Sequence, residues 1–162
     1  MPNCKYLGFV ALLAVVAGSA AARPAQGIYA NQQFGYSVRY PASLLRPVTL
    51  ATPEGQAFAS VAGHAGFRVF AARLNGRAPQ DLAKDAQAIC PGGRPSYRVV
   101  KHALVAVSCR AGDHIVYQKS LLRGDIEITV RGEYPASERQ TWDPVVTSIA
   151  RSMRAAPRDS GI

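Results

Sequence analysis

The most regular pattern in the chain runs from Ile126 to Tyr134. Ile126, Ile128 and Val130 alternate there with Glu127, Thr129, Arg131 and Glu133. A period of two is that of a strand, with the apolar set turned inward and the polar set outward. Phe34 to Tyr40 repeats the pattern: Phe34, Tyr36, Val38 and Tyr40 share one side, with Ser37 and Arg39 on the other. Pro41 closes this strand because proline has no ladder donor. Upstream, Ile28 opens another apolar stretch, separated from it by Asn31-Gln32-Gln33. Gln56 to Ala62 and Phe67 to Leu74 read as a hairpin across Gly63-His64-Ala65-Gly66, and Asn75-Gly76 closes it. Residues 41–55, with three prolines and the turn signal Pro53-Glu54-Gly55, read as a connection. Tyr97 to Cys109 reads as one strand bent near His102 and Ala103, and His114 to Arg123 as the next. Turns at Ala111-Gly112-Asp113 and Gly124-Asp125 are short enough to require antiparallel neighbours.

Two segments repeat at helical spacing instead. Pro79 to Ile89 places Leu82, Ala83, Ala86 and Ile89 on one face, opens on a proline and stops at Pro91-Gly92-Gly93. A second helix begins near Ser137 and carries another start signal at Asp143-Pro144. It turns Val145, Val146, Ile149 and Met153 towards a sheet. The order strands, helix, strands, helix predicts an α+β fold, a layered sandwich in which an antiparallel sheet is covered by two main helices. No internal repeat or long linker divides residues 28–154, so they read as a single α+β domain.

Residues 1–22 read as an address. Lys5 precedes a short apolar run, and Ala20-Ala21-Ala22 meets the small-x-small rule for cleavage, expected after Ala22. That run is shorter than the roughly 20 residues a bilayer span takes, and Cys4 precedes it, which argues against a lipid anchor. The expected location is therefore periplasmic or secreted, with no stable membrane insertion after cleavage. Residues 23–27 read as a flexible leader and 155–162 as a flexible tail.

With the leader and Lys5 gone, the formal charge of +9 falls by one and two cysteines remain, Cys90 and Cys109. In an oxidising compartment such a pair is most simply a disulfide. The loop it closes corresponds to ~3 kcal/mol in the chain-entropy model. A redox or metal site has less in its favour, since there is no C-x-x-C.

Phe34-Gly35-Tyr36-Ser37-Val38-Arg39-Tyr40-Pro41 resembles the opening strand of PsbP-like exported bacterial domains. The closing Glu133-Tyr134-Pro135-Ala136, then Trp142-Asp143-Pro144-Val145-Val146 and a last amphipathic helix, fits the same family. The resemblance spans most of residues 28–154 in element order, through short and mainly structural motifs. It implies the layered fold and a noncatalytic binding role, because the PsbP subunit of photosystem II acts by docking. No functional residue of that subunit has a match here, and the cysteine pair is not a family feature.

Few residues of the chain fall into known chemical motifs. The chain lacks a P-loop, a G-x-S-x-G elbow and H-E-x-x-H. Its histidines, His64, His102 and His114, form no chelating i,i+2 or i,i+4 pair and read as solvated. His102 and His114 meeting across a hairpin near Asp113 stays open as a weak surface site, so no metal or other cofactor is assigned. Glu127 and Glu133 share one side of a strand but stand ~20 Å apart, beyond the ~5–9.5 Å of paired glycosidase carboxylates. Cross-strand ion pairs with Arg131, Lys119 or Arg39 are their expected role. Arginine supplies 15 of the cations, which favours bidentate contact with carboxylates or phosphates. Scattered arginines also simply keep a domain in solution. Nucleic acid is the weaker partner, because aromatics are not interleaved with the cations. Tyr97, Tyr117, Tyr134 and Trp142 suit either a core or a cleft.

The reading is an exported, non-catalytic docking domain of the cell envelope whose partner is a protein or an anionic envelope component. The candidate binding surface is Arg39, Lys119, Glu127, Thr129, Arg131 and Glu133. A small envelope hydrolase, and an inhibitor or immunity factor of an envelope-degrading enzyme, are the alternatives.

Overall fold

The structure, a computed structural model, describes residues 25–48 and 53–155. The export leader with its cleavage site, Arg23-Pro24 and residues 156–162 of the expected tail lie outside the described residues.

The chain forms β1 (Gln26–Asn31), β2 (Tyr36–Pro41), β3 (Leu45–Val48), β4 (Gly55–Ser60) and β5 (Gly66–Arg73) before helix α1 (Pro79–Ala88). Strands β6 (Tyr97–Lys101), β7 (Leu104–Ala111), β8 (His114–Arg123) and β9 (Ile126–Pro135) follow. Helix α2 (Arg139–Ser152) and a two-residue strand, β10 (Arg154–Ala155), complete the order. The seven-stranded central sheet runs β3-β4-β5-β9-β8-β7-β6, and a small sheet runs β1-β2-β10. All pairings are antiparallel.

The α+β layering is as expected, and register explains how it is built. Ile128 and Val130 of β9 stand opposite Ala71 and Val69 of β5 on one side, and all four are buried. Their face of the sheet carries the main core: Phe58 and Phe67 from β4 and β5, Tyr36 and Val38 from the small sheet, and Trp142, Val146 and Ile149 from α2. Phe67 lies opposite Gly132, where a Cβ would stand 2.6 Å from the Phe67 ring and 3.0 Å from Val146. Only a glycine lets helix and ring approach the sheet this closely.

The opposite face is covered as well, over its β6–β8 half. Leu82, Ala83 and Ala86 of α1 pack there on Val105 and Val107, with Leu122 and Val100 at the margin. The two helices therefore lie on opposite faces of one sheet. Cys90, just past α1, is bonded to Cys109 on β7 with Cα atoms 5.8 Å apart. The staple fixes α1 to the strand it covers.

Several local expectations change. Residues 41–55 contain a strand, β3, in which Pro47 pairs with Phe58. This strand is outermost in the sheet, the one place where a ring without an N–H is tolerated. Gln26 and Gly27 belong to β1, opposite Pro41 and Tyr40, and the Ala25 carbonyl accepts from Ala42 N–H at 2.9 Å. The end of the leader is thus ordered by the sheet. At the other terminus Arg154 and Ala155 pair with Ser37 and Tyr36. Tyr97 to Cys109 is not one bent strand: the chain reverses completely at His102-Ala103, so β6 folds back on β7. Asp143-Pro144 is no second start, because α2 runs through Pro144.

Candidate functional site

Helix α2 covers β9 and β8 and stops short of the edge strand β6. Tyr97 and Val99 of β6 share a face with Ala106 of β7 and Tyr117 of β8, the face on which α2 lies. The result is a trough between α2 and the sheet edge. One end, about 400 Å³, is lined by Arg110, Tyr117, Tyr134, Arg139 and Asp143. The other, about 430 Å³, is lined by Lys101, Lys119 and Arg151. Tyr97, Tyr117 and Thr147 belong to both ends and join them. Tyr97 is 50% exposed on the rim.

Five cations line the trough, and its one carboxylate, Asp143, is already engaged. Asp143 accepts from the Tyr134 hydroxyl at 2.7 Å and pairs with Arg139 at 3.2 Å. Arg110 lies 3.6 Å from Asp113. Lys119 donates to the Ala150 carbonyl at 2.9 Å, in the last turn of α2, where the helix dipole favours a cation. Its ammonium is held below the usual lysine range by burial, and then by Arg151 and Arg154. Burial pushes the Tyr117 phenol up to about 12, Tyr97 adding to the effect and Arg151 opposing it. Lys101 and Arg151 have no ion-pair partner among the described residues. The trough thus carries a net positive charge, with Lys101 and Arg151 unpaired, beside the exposed Tyr97 ring and the half-buried Tyr117 ring. It can hold an anionic chain by charge while stacking it on tyrosine.

The expected surface residues do not form one patch. Lys119 is in the trough, while Arg39 is on β2 of the small sheet, on the strand that β10 borders. Glu127, Thr129, Arg131 and Glu133 project to the far face of the central sheet. Thr129 is only 1% exposed, between Phe70 and Ser120 in the ladder. Its hydroxyl is 2.8 Å from that of Ser120 and donates to Glu127 at 3.1 Å. It is outward of the main core yet covered, because this sheet is buried on both sides here. The expected cross-strand ion pairs do not form: Glu127 faces Ala72 and Leu122, and Glu133 faces Gly66 and Val116. Arg131 and Glu133 line a separate hollow of about 450 Å³ with His64, His114 and Arg68.

His102 and His114 do not approach one another. His114 pairs with Ala111 and Pro135, whereas His102 lies in the turn at the other end of β7. His64 Nδ1 stands 3.1 Å from Glu138 Oε1, but on the surface, with the imidazole 62% exposed. The Glu138 carboxylate is held below its usual range by the Trp142 indole N–H, which donates at 2.9 Å, and then by His64. Trp142 itself is buried against Phe67, ring centroids 5.6 Å apart. Among the described residues no three His, Cys, Asp or Glu side chains converge to hold a metal. No helix among them is long and apolar enough to cross a membrane.

The fold is PsbP-like. The chain superposes on the solution structure of cyanobacterial PsbP (CyanoP) from Synechocystis sp. PCC 6803 with a TM-score of 0.61 at 11% identity, covering 87% of this chain and 98% of that one. It also superposes on a crystal structure from Bacteroides thetaiotaomicron VPI-5482, with a TM-score of 0.56 at 14% identity. That match covers 86% of this chain and 51% of the other, so the chain spans about half that protein's length. No family model and no curated protein matches the sequence.

Proposed function

We propose that the chain is an exported docking domain without catalytic activity, and that it holds an acidic segment of an envelope partner in the trough beside α2. The observation that carries this reading is the set of five cations around the exposed Tyr97 and the half-buried Tyr117, with Lys101 and Arg151 unpaired among the described residues. Charge of one sign in a concave surface steers an oppositely charged partner and selects for it. Export is supported by the leader pattern of residues 1–22 and by the Cys90–Cys109 disulfide. A docking role over hydrolysis is supported by the His64–Glu138 pair: it is exposed, and its carboxylate is occupied by Trp142.

The test is a titration with a hexaglutamate peptide, read by amide chemical shifts. Shifts at Tyr97, Tyr117 and Thr147 that weaken as salt rises are expected, and the Lys101→Glu/Arg151→Glu double variant loses them. Shifts confined to another surface, or a double variant that binds as well as the parent, overturn the reading.

A further inference from the structure

On the face of the central sheet opposite the trough, Arg68 of β5 and Arg131 of β9 are direct register partners. Opposed side chains on adjacent antiparallel strands have Cβ atoms ~4.5–5.5 Å apart, and like charges so placed repel. Folded domains normally answer such a contact with a carboxylate. Glu133 is on the same face, two positions along from Arg131, yet it pairs with neither arginine. Gln118 flanks Arg131 on β8 as an uncharged donor, and Arg46 of β3, opposite Ala59, adds another cation to this face. Neither the Arg68 nor the Arg131 side chain has an ion-pair or hydrogen-bond partner among the described residues.

The repulsion sits beside open space. The neighbouring positions Ala57, Ala59 and Gly66 are small, and the hollow of about 450 Å³ is the room they leave. Helix α1 covers the β6–β8 half of this face and Thr129 of β9 is still buried beside it, but further along β5 and β9 Arg68 and Glu133 are exposed. Two guanidinium groups side by side offer parallel N–H forks matched to an oxyanion. A singly charged carboxylate would leave one arginine unneutralised, whereas a phosphate monoester, near two negative charges at neutral pH, answers both. The hollow falls in the size range of small-molecule sites. Glu133, an acceptor at its rim, suits hydroxyl groups on the rest of such a ligand.

We propose that Arg68 and Arg131 form the anion end of a binding site for the phosphate monoester of a small hydroxylated molecule. The site lies across the sheet from the trough, so either can fail while the other stands.

The probes are glycerol phosphate, inorganic phosphate and vesicles containing phosphatidylglycerol, each added to the full exported chain in chloride buffer of fixed ionic strength. Both free phosphates are expected to give saturable shifts at Gly66, Arg68, Gln118 and Arg131, glycerol phosphate binding more tightly. Arg68→Gln or Arg131→Gln weakens this about tenfold or more. In chloride alone Arg68→Gln is expected to melt roughly 1–4 °C higher, because it removes the repulsion without removing a partner. Binding to vesicles but not to free phosphates would assign the arginines to a lipid surface and overturn the proposal. Shifts no larger than chloride produces would overturn it too. So would a lower melting temperature for Arg68→Gln, which would make the pair structural.

Discussion

At the scale of single residues, burial decides which substitutions the fold tolerates. Val130 is 1% exposed in the middle of the main core. Val130→Asp would bury a charge there whose one facing cation, its register partner Lys119, already donates to the Ala150 carbonyl, a cost of roughly 3 kcal/mol or more, and is expected to lower the melting temperature sharply by circular dichroism. Gly132→Ala is milder: its Cβ meets the Phe67 ring and Val146, so a loss of about 1–3 kcal/mol in denaturant unfolding is expected. The buried tyrosines set the alkaline limit. Tyr117 titrates from about 12 in the folded chain and near 10 when unfolded, so its contribution is complete below pH 10 and is lost as pH rises towards 12. Tyr36 and Tyr134 are shifted upward by burial too, Tyr36 with its hydroxyl on the Glu54 carbonyl and Tyr134 on Asp143. Unfolding followed by the ultraviolet phenolate band should therefore begin above pH 10. A melting temperature constant from pH 9 to 12 would contradict the burial of these phenols.

At the scale of elements, local alternation was enough where a strand has one covered face and a neighbour close in sequence. Strands β4, β5, β8 and β9 were legible for that reason, and both helices from apolar positions repeating at helical spacing. Strand β3 was not, because Arg46 and Pro47 show a loop's composition and only the sheet's edge makes them a strand. Strand β10 has two residues, too few for any period, and exists because β2 has a free side. The disulfide was legible from the leader pattern and from the even pair of cysteines beyond it. Cys90→Ser is expected to lower stability by about 3 kcal/mol, seen as a lower melting temperature, since it frees α1 from β7 and opens the loop. The trough was not legible, although Lys101, Arg110, Tyr97 and Tyr117 lie in strands the pattern finds. It arises from the lateral stop of α2 over β8, two strands before the edge. Nor could Arg68 be matched to Arg131, because β5 pairs with β9 across an intervening helix and three strands.

At the scale of the whole molecule, the two helices on opposite faces leave two open areas on opposite sides of one sheet, the trough and the arginine hollow. Both are basic, and the difference between them is checkable by salt. Binding of an acidic segment in the trough would rest on several dispersed charges and should fall steeply with ionic strength, while a bidentate phosphate contact should fall less. The small sheet carries a further consequence. Strand β2 lies near the start of the described chain, yet its partners β10 and the Ser152 hydroxyl, which accepts from Arg39 N–H at 2.8 Å, come from its end. A chain emerging N-terminus first from a ribosome therefore holds an incomplete first layer until α2 and β10 have appeared. Contacts across a separation of 113 residues carry a loop-closure cost that slows their formation, and until they form a nascent polypeptide of this sequence is expected to stay open to a passing chaperone.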